Sequence, residues 1–214
     1  MIGMLMTSLF MFFPTQDWEE MRQKMTQAMQ DMDNVKMTVE LEKNNDFENI
    51  ATMWKAGNSW RMKYDTYETL INERYFVSIA HDFQQILWQK LDQNKRKKSS
   101  PADNILDSRI GKRRNMKVSE TDSEFIIESV GDDQTKELIL IKLEKDTYRI
   151  KYFEFHGGER LGNQVTKVRY RYELLESDAV FDESQFLKVD KGEVIPVEAY
   201  SNYSVGRTTT LIED

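Results

Sequence analysis

The chain has no cysteine, three prolines, nine glycines and two histidines among its 214 residues. Without cysteine there are no disulfides, thiolate metal sites or cysteine nucleophiles, and the absence decides no compartment. His81 and His156 are too few for a multi-histidine metal centre. Positive charge is in deficit: 30 Lys and Arg face 37 Asp and Glu, and the formal charge of −7 argues against a general nucleic-acid binder. Long apolar runs are missing as well. Residues 1–13 form the one strongly apolar stretch, shorter than the roughly 20 residues a helix needs to cross a bilayer.

That stretch has the length of a signal-peptide core and is followed by Pro14, but no Lys or Arg precedes it and no small-x-small cleavage site follows. Two readings fit: an export signal whose basic start lies upstream of Met1, or an N-terminal strand or plug packed on the domain. Scarce glycine and proline leave no linker, and no repeat stands out. One domain is therefore expected over 17–214, with 1–16 as a signal peptide or extension.

What is present is alternation. Val35, Met37, Val39 and Leu41 alternate with Lys36, Thr38, Glu40 and Glu42, the period of a half-buried strand. A hairpin follows, Ile50–Lys55 and Ser59–Tyr64 about Ala56-Gly57-Asn58, then strands near Arg74–Ala80 and Gln85–Leu91. Further strands are expected at Glu124–Val130, Glu137–Leu143, Tyr148–Phe155 and Gln164–Leu175, separated by Gly- and Asp-rich turns. In the last of these Thr166, Val168, Tyr170 and Tyr172 take one face, and Lys167, Arg169 and Arg171 the other, giving a sheet wet on one side. Glu193–Tyr200, interrupted by Pro196, reads as an edge strand.

The best helix runs from Asp17 to Asp33. Asp17 and Glu20 resemble a capping box, and Trp18, Met21, Met25, Met29 and Met32 fall on one stripe. The plainer meaning of that stripe is core packed on a sheet. The sharper one is an adaptable methionine surface that lids a cavity. Residues 92–122 break the strand pattern, with a short weak helix at 102–110 and two basic clusters, Lys95-Arg96-Lys97-Lys98 and Lys112-Arg113-Arg114. These are either solvated loops or a docking patch for an anionic lipid surface or an acidic partner.

Catalytic groups do not assemble. His81 and Asp82 are adjacent and would point to opposite faces of a strand. Ser59, Ser78 and Ser129 sit in no nucleophile elbow, and Gly157-Gly158 opens no phosphate-binding helix. The carboxylates Asp65, Glu68, Asp82, Glu128 and Glu154 form no selected pair. The chain is expected not to be an enzyme and to need no metal or cofactor. Aromatic residues instead crowd Trp54–Trp88, as ordinary sheet core or as the wall of an apolar cavity.

This order of elements resembles the periplasmic outer-membrane lipoprotein carrier family (LolA-like proteins). The resemblance rests on the helix followed by Asn34-Val35-Lys36-Met37-Thr38-Val39, the hairpin Ala51–Tyr64, the pair Glu68–Asn72 and Tyr75–Ile79, and Asp182-Glu183-Ser184-Gln185-Phe186 before Gly192-Glu193-Val194. The family's Arg-Pro pair before the hairpin turn, tied to closing the lid, is Ala56-Gly57 here, with Lys55 and Arg61 nearby as substitutes.

The resemblance implies an α+β, mainly β fold. It would be a strongly curved antiparallel sheet, an incomplete β-barrel, with the N-terminal helix and a short second helix lidding its concave face. It further implies a monomeric periplasmic carrier of lipoprotein acyl chains or another lipid, working between an inner-membrane donor complex and an outer-membrane acceptor. Transient contact with a membrane surface and no nucleic acid would go with that role. Cavity walls would come from Met37, Val39, Trp54, Trp60, Met62, Tyr75, Val77 and Trp88, with Met21, Met25 and Met29 in the lid. The alternative on the same scaffold is a regulatory sensor acting through a protein partner.

Overall fold

A computed structural model describes residues 17–91, 116–130, 137–158, 162–190 and 193–208. The single α-helix among them, α1 (Trp18–Gln30), starts where the Asp17 carboxylate accepts from the Glu19 N–H at 3.1 Å. Glu20 does not close a capping box and pairs with Lys24 at 2.6 Å. The helix stops short of Asp33 because the chain turns into the first strand through Asn34, at φ 50°, a left-handed position that asparagine tolerates.

The strands that follow are β1 (Val35–Lys43), β2 (Asp46–Ala56), β3 (Ser59–Tyr64), β4 (Tyr67–Ile71), β5 (Tyr75–Ala80), β6 (Gln85–Lys90), β7 (Met116–Glu120), β8 (Glu124–Val130), β9 (Leu138–Glu144), β10 (Ile150–His156), β11 (Val165–Leu174), β12 (Leu187–Asp190), β13 (Glu193–Pro196) and β14 (Ser204–Arg207). Twelve of them form one curved sheet ordered β14-β6-β5-β4-β3-β2-β1-β11-β10-β9-β8-β7, which does not close into a barrel. Neighbours run antiparallel except at one edge, where β14 lies parallel to β6. Asn44 and Asn45, both at positive φ, make the tight β1–β2 turn. The register shifts at Val39/Glu40.

Three features depart from the sequence expectations. The strand β7 lies in the stretch expected to lack strand pattern. The Pro196 segment is an edge strand as expected, but it stops at Pro196 and pairs with β12 in a separate two-stranded sheet outside the main ladder. The main sheet's edge beyond β6 is filled by β14 instead. The expected helix at 102–110 and the apolar stretch 1–13 lie outside the described residues.

Because register fixes which side chains share a face, the two surfaces of the sheet can be followed strand by strand. Met21 and Met25 of α1, both 0% exposed, pack on Phe125, Ile127, Ile139, Ile141 and Leu143 of β8 and β9. We call this side the helix face. A second core forms on the opposite, outer face of β3–β6, where Leu70, Val77, Ile79 and Ile86 pack against Phe181, Phe186 and Leu187 of a strap, residues 175–190 and 193–208.

Candidate functional site

On the helix face the ladder gives continuous cross-strand rows. One row passes through Tyr172, Met37, Met53, Met62, Thr69 and Ser78. A second runs Lys55, Trp60, Ile71, Phe76 and Gln89. A third contains Tyr170, Val39, Ala51 and Tyr64. Burial raises the pKa of the Tyr170 hydroxyl, and the Tyr64 phenol adds to that effect, as expected of two groups on one side of the sheet. Burial likewise pushes the Tyr172 hydroxyl up, and its O–H donates to the Ile150 carbonyl at 2.9 Å.

These rows produce an apolar strip across β1–β3 that belongs to neither packed core. Met37 is buried, while Val39, Met53, Trp60 and Met62 are half-buried and Tyr64 is exposed. The helix covers the β7–β10 end of the same face. Methionine is the commonest residue of the strip, and its flexible, polarisable side chain fits varied apolar shapes.

The eight residues expected to line one cavity therefore divide. Met37, Val39, Trp60 and Met62 lie together on the helix face. Trp54, Tyr75, Val77 and Trp88 lie on the outer face, under the strap, with Val77 at 0% exposure. These four cannot share a surface with the first four. The reason is that β5 is covered on both faces: Phe76 and Ser78 are buried as well as Val77 and Ile79, so its apolar pattern does not say which side is which. Met21, Met25 and Met29 do face the sheet, but they sit over β7–β10, beside the strip and not on top of it. The basic residues Lys95, Arg96, Lys97, Lys98, Lys112, Arg113 and Arg114 lie outside the described residues.

Polar contacts close one end of the strip. Lys55 Nζ donates to the Gln30 carbonyl at 3.0 Å and to the Met32 carbonyl, neutralising the negative end of the helix. The Asp33 carboxylate accepts from the Gly57 N–H at 2.5 Å. That bond holds the Asp33 pKa below the ordinary carboxylate range against the opposing effect of burial, with help from the Asn34 N–H and the Lys55 charge. Gly57 occupies a left-handed turn position, φ 53°, where a side chain would be strained. Helix and hairpin are thereby latched.

Arg61, the other basic residue near the turn, points to the outer face. It pairs with Glu68, donates to the Val180 carbonyl and the Gln185 side-chain oxygen at 3.0 Å each, and sits 4.9 Å from the Phe186 ring centroid. Asn72 donates to the Phe181 carbonyl at 3.0 Å, and Arg74 meets Glu183 at 2.7 Å. His81 shares a 2.9 Å hydrogen bond with the Tyr203 hydroxyl and stacks on Tyr200, so it fastens the strap. Nothing in the local sequence marked Arg61 or His81 for this work, because their partners lie more than a hundred positions away. A shallow pocket of about 550 Å³ lies between Gly57, Arg74 and Asp182, and it is mostly polar.

Over the rest of the outer face the ladder is charged and wet. Glu40 accepts from Arg169 at 2.5 Å and Arg171 at 3.2 Å, and Glu42 pairs with Lys167 at 2.7 Å. Burial alone would raise the Glu154 pKa, but hydrogen bonds from Tyr152 and His156 hold it below the ordinary range. Among the described residues no group of His, Asp and Glu is placed to hold a metal ion.

No protein-family model matches the sequence, and no curated protein matches it. Solved structures with a partly similar fold include an uncharacterized conserved protein from Thermus thermophilus, at TM-score 0.47 and 10% identity over 89% of this chain and 98% of that one. The MucA/MucB complex of Pseudomonas aeruginosa gives 0.43 and 10% over 76% of this chain and 59% of that one. A LolA superfamily protein from Nitrosomonas europaea gives 0.30 and 12% over 77% and 96%. All three lie below a TM-score of 0.5.

Proposed function

We propose that the protein is a non-catalytic carrier that shelters an acyl chain against the helix face of its sheet. The observation that carries this is the strip itself: Met37, Val39, Trp60 and Met62 share one face with the helix and lie in neither packed core. Each methylene withdrawn from water contributes about 0.8 kcal/mol, so a long chain gains several kcal/mol on such a surface. The polar groups at the helix end latch the wall and leave the strip apolar. Transport of lipoprotein acyl chains across the periplasm, from an inner-membrane donor to an outer-membrane acceptor, is the specific form of this role. A protein-partnered sensor on the same scaffold is the alternative.

Tryptophan placement supplies the test. A fatty acid brominated along its chain quenches indoles it touches. Quenching should be strong in the unaltered protein, largely lost in Trp60→Phe, and kept in Trp54→Phe and Trp88→Phe, whose indoles lie under the strap. Absence of uptake, or quenching that follows Trp54 or Trp88, would sink the carrier and favour a partner-binding role.

A further inference from the structure

The chain has no cysteine, so its methionine thioethers are the side chains that a peroxide oxidises first. Register places Met37, Met53 and Met62 opposite one another on β1, β2 and β3, in the middle row of the apolar strip. The methionines of the described residues then divide by access. Met21, Met25, Met32 and Met37 are buried. Met29 and Met116 are half-buried and pack against the helix core. Met53 and Met62 are half-buried and belong to neither core. Leucine has nearly the same volume, would line an acyl site as well and is inert to peroxide. Methionine at these two positions therefore adds a chemistry that the apolar role does not call for.

We propose that Met53 and Met62 form a reversible oxidation site that unloads the strip. This rests on the carrier reading and names a regulation of it. Each thioether sulfur takes one oxygen from hydrogen peroxide: the O–O bond breaks, an S–O bond forms, sulfur gives up an electron pair, and the peroxide is reduced to water. The sulfoxide that results is polar, and its oxygen accepts hydrogen bonds. Under an acyl chain that oxygen loses its water without gaining a donor, so chain and sulfoxide exclude each other. Met53 and Met62 face each other on β2 and β3, both interior strands whose backbone N–H groups are engaged in the ladder. Two sulfoxide acceptors side by side cannot satisfy one another. Met21 and Met25 stay reduced in the helix core, so the fold outlasts the loss of binding.

The test treats the full chain with hydrogen peroxide and maps oxygen uptake residue by residue by mass spectrometry. Met53 and Met62 should be oxidised before Met21 and Met25, with Trp60 unmodified. Affinity for the brominated fatty acid, read as quenching of Trp60, should then fall at least about tenfold, equivalent to about 1.4 kcal/mol. It should recover when the two methionine sulfoxide reductases, one for each epimer, are added. In the double variant Met53→Leu/Met62→Leu the affinity before peroxide is the reference, and the ratio after to before should stay near one. Met62→Leu alone should show a smaller fall than the unaltered protein, which serves if the double variant misfolds. Oxidation of Met53 and Met62 no faster than of Met21 and Met25, unchanged affinity of the oxidised protein, or an equal fall in the variants overturns the switch and leaves the carrier standing. A protein that takes up no fatty acid before peroxide overturns the two together.

Discussion

The two halves of the sheet bury opposite faces. Over β7–β10 the cover is α1, and the outer face carries exposed polar pairs such as Lys151–Glu124 and His156–Glu154. Over β3–β6 the cover is the strap, and it lies on the outer face. Between them, on β1–β3, neither packed core of the described residues reaches the helix face, and that is where the apolar strip lies. A sheet with one consistent lid would have no such gap. The site is a product of the change of sides.

The ion pairs under the strap and on the uncovered outer face of β1 and β11 differ in the same sense. Glu68 is 1% exposed and is paired with Arg61 beneath the strap, whereas the arginines that meet Glu40 stand in solvent. Glu68→Ala should therefore cost about 3 kcal/mol by removing the buried counter-ion of the half-buried Arg61 guanidinium, while Arg171→Ala should cost at most about 1 kcal/mol. Urea unfolding of both variants measures the contrast, and equal losses would erase it. Packing gives the next largest effect. Met25→Ala, in the helix core, should lose about 2–5 kcal/mol, and Met62→Ala, in the strip, about 1 kcal/mol or less. A large loss at Met62 would mean the strip is core after all.

The smallest effect is at the latch. The folded pKa of Asp33 is depressed, so its contribution is complete above the ordinary carboxylate value of about 3.9 and is lost as pH falls through the folded value. Below about pH 4, amide exchange across Trp18–Gln30, corrected for intrinsic rate, should accelerate. Asp33→Asn should remove that acid step. Unchanged protection at low pH would show that the helix is held by packing alone.

Much of this architecture was legible where one face is wet. The alternation in β1 and β11 gave both their faces, and the spacing of Met21, Met25 and Met29 gave the buried side of α1. It failed where both faces are covered. In Tyr75-Phe76-Val77-Ser78-Ile79 apolar residues fall on either side, so Tyr75 and Val77 read as cavity wall when they are strap core. The strap was illegible for a different reason. Its anchors are Arg61, Asn72, Arg74 and His81, and no local period links them to residues 178–205.

The parallel strand at the sheet edge has a consequence for folding. Ser204 bonds to Gln84 across a sequence separation of 120, whereas β2 to β6 are joined by short hairpins. The meander can form early from local contacts, but its last strand keeps an open edge, and Leu70, Val77 and Ile86 stay wet, until residues 175–208 arrive. Contacts so distant in sequence are slow to close, and exposed edges beside apolar surface invite pairing with other chains. Completion of this half late in synthesis is the stage at which the protein is most exposed to aggregation.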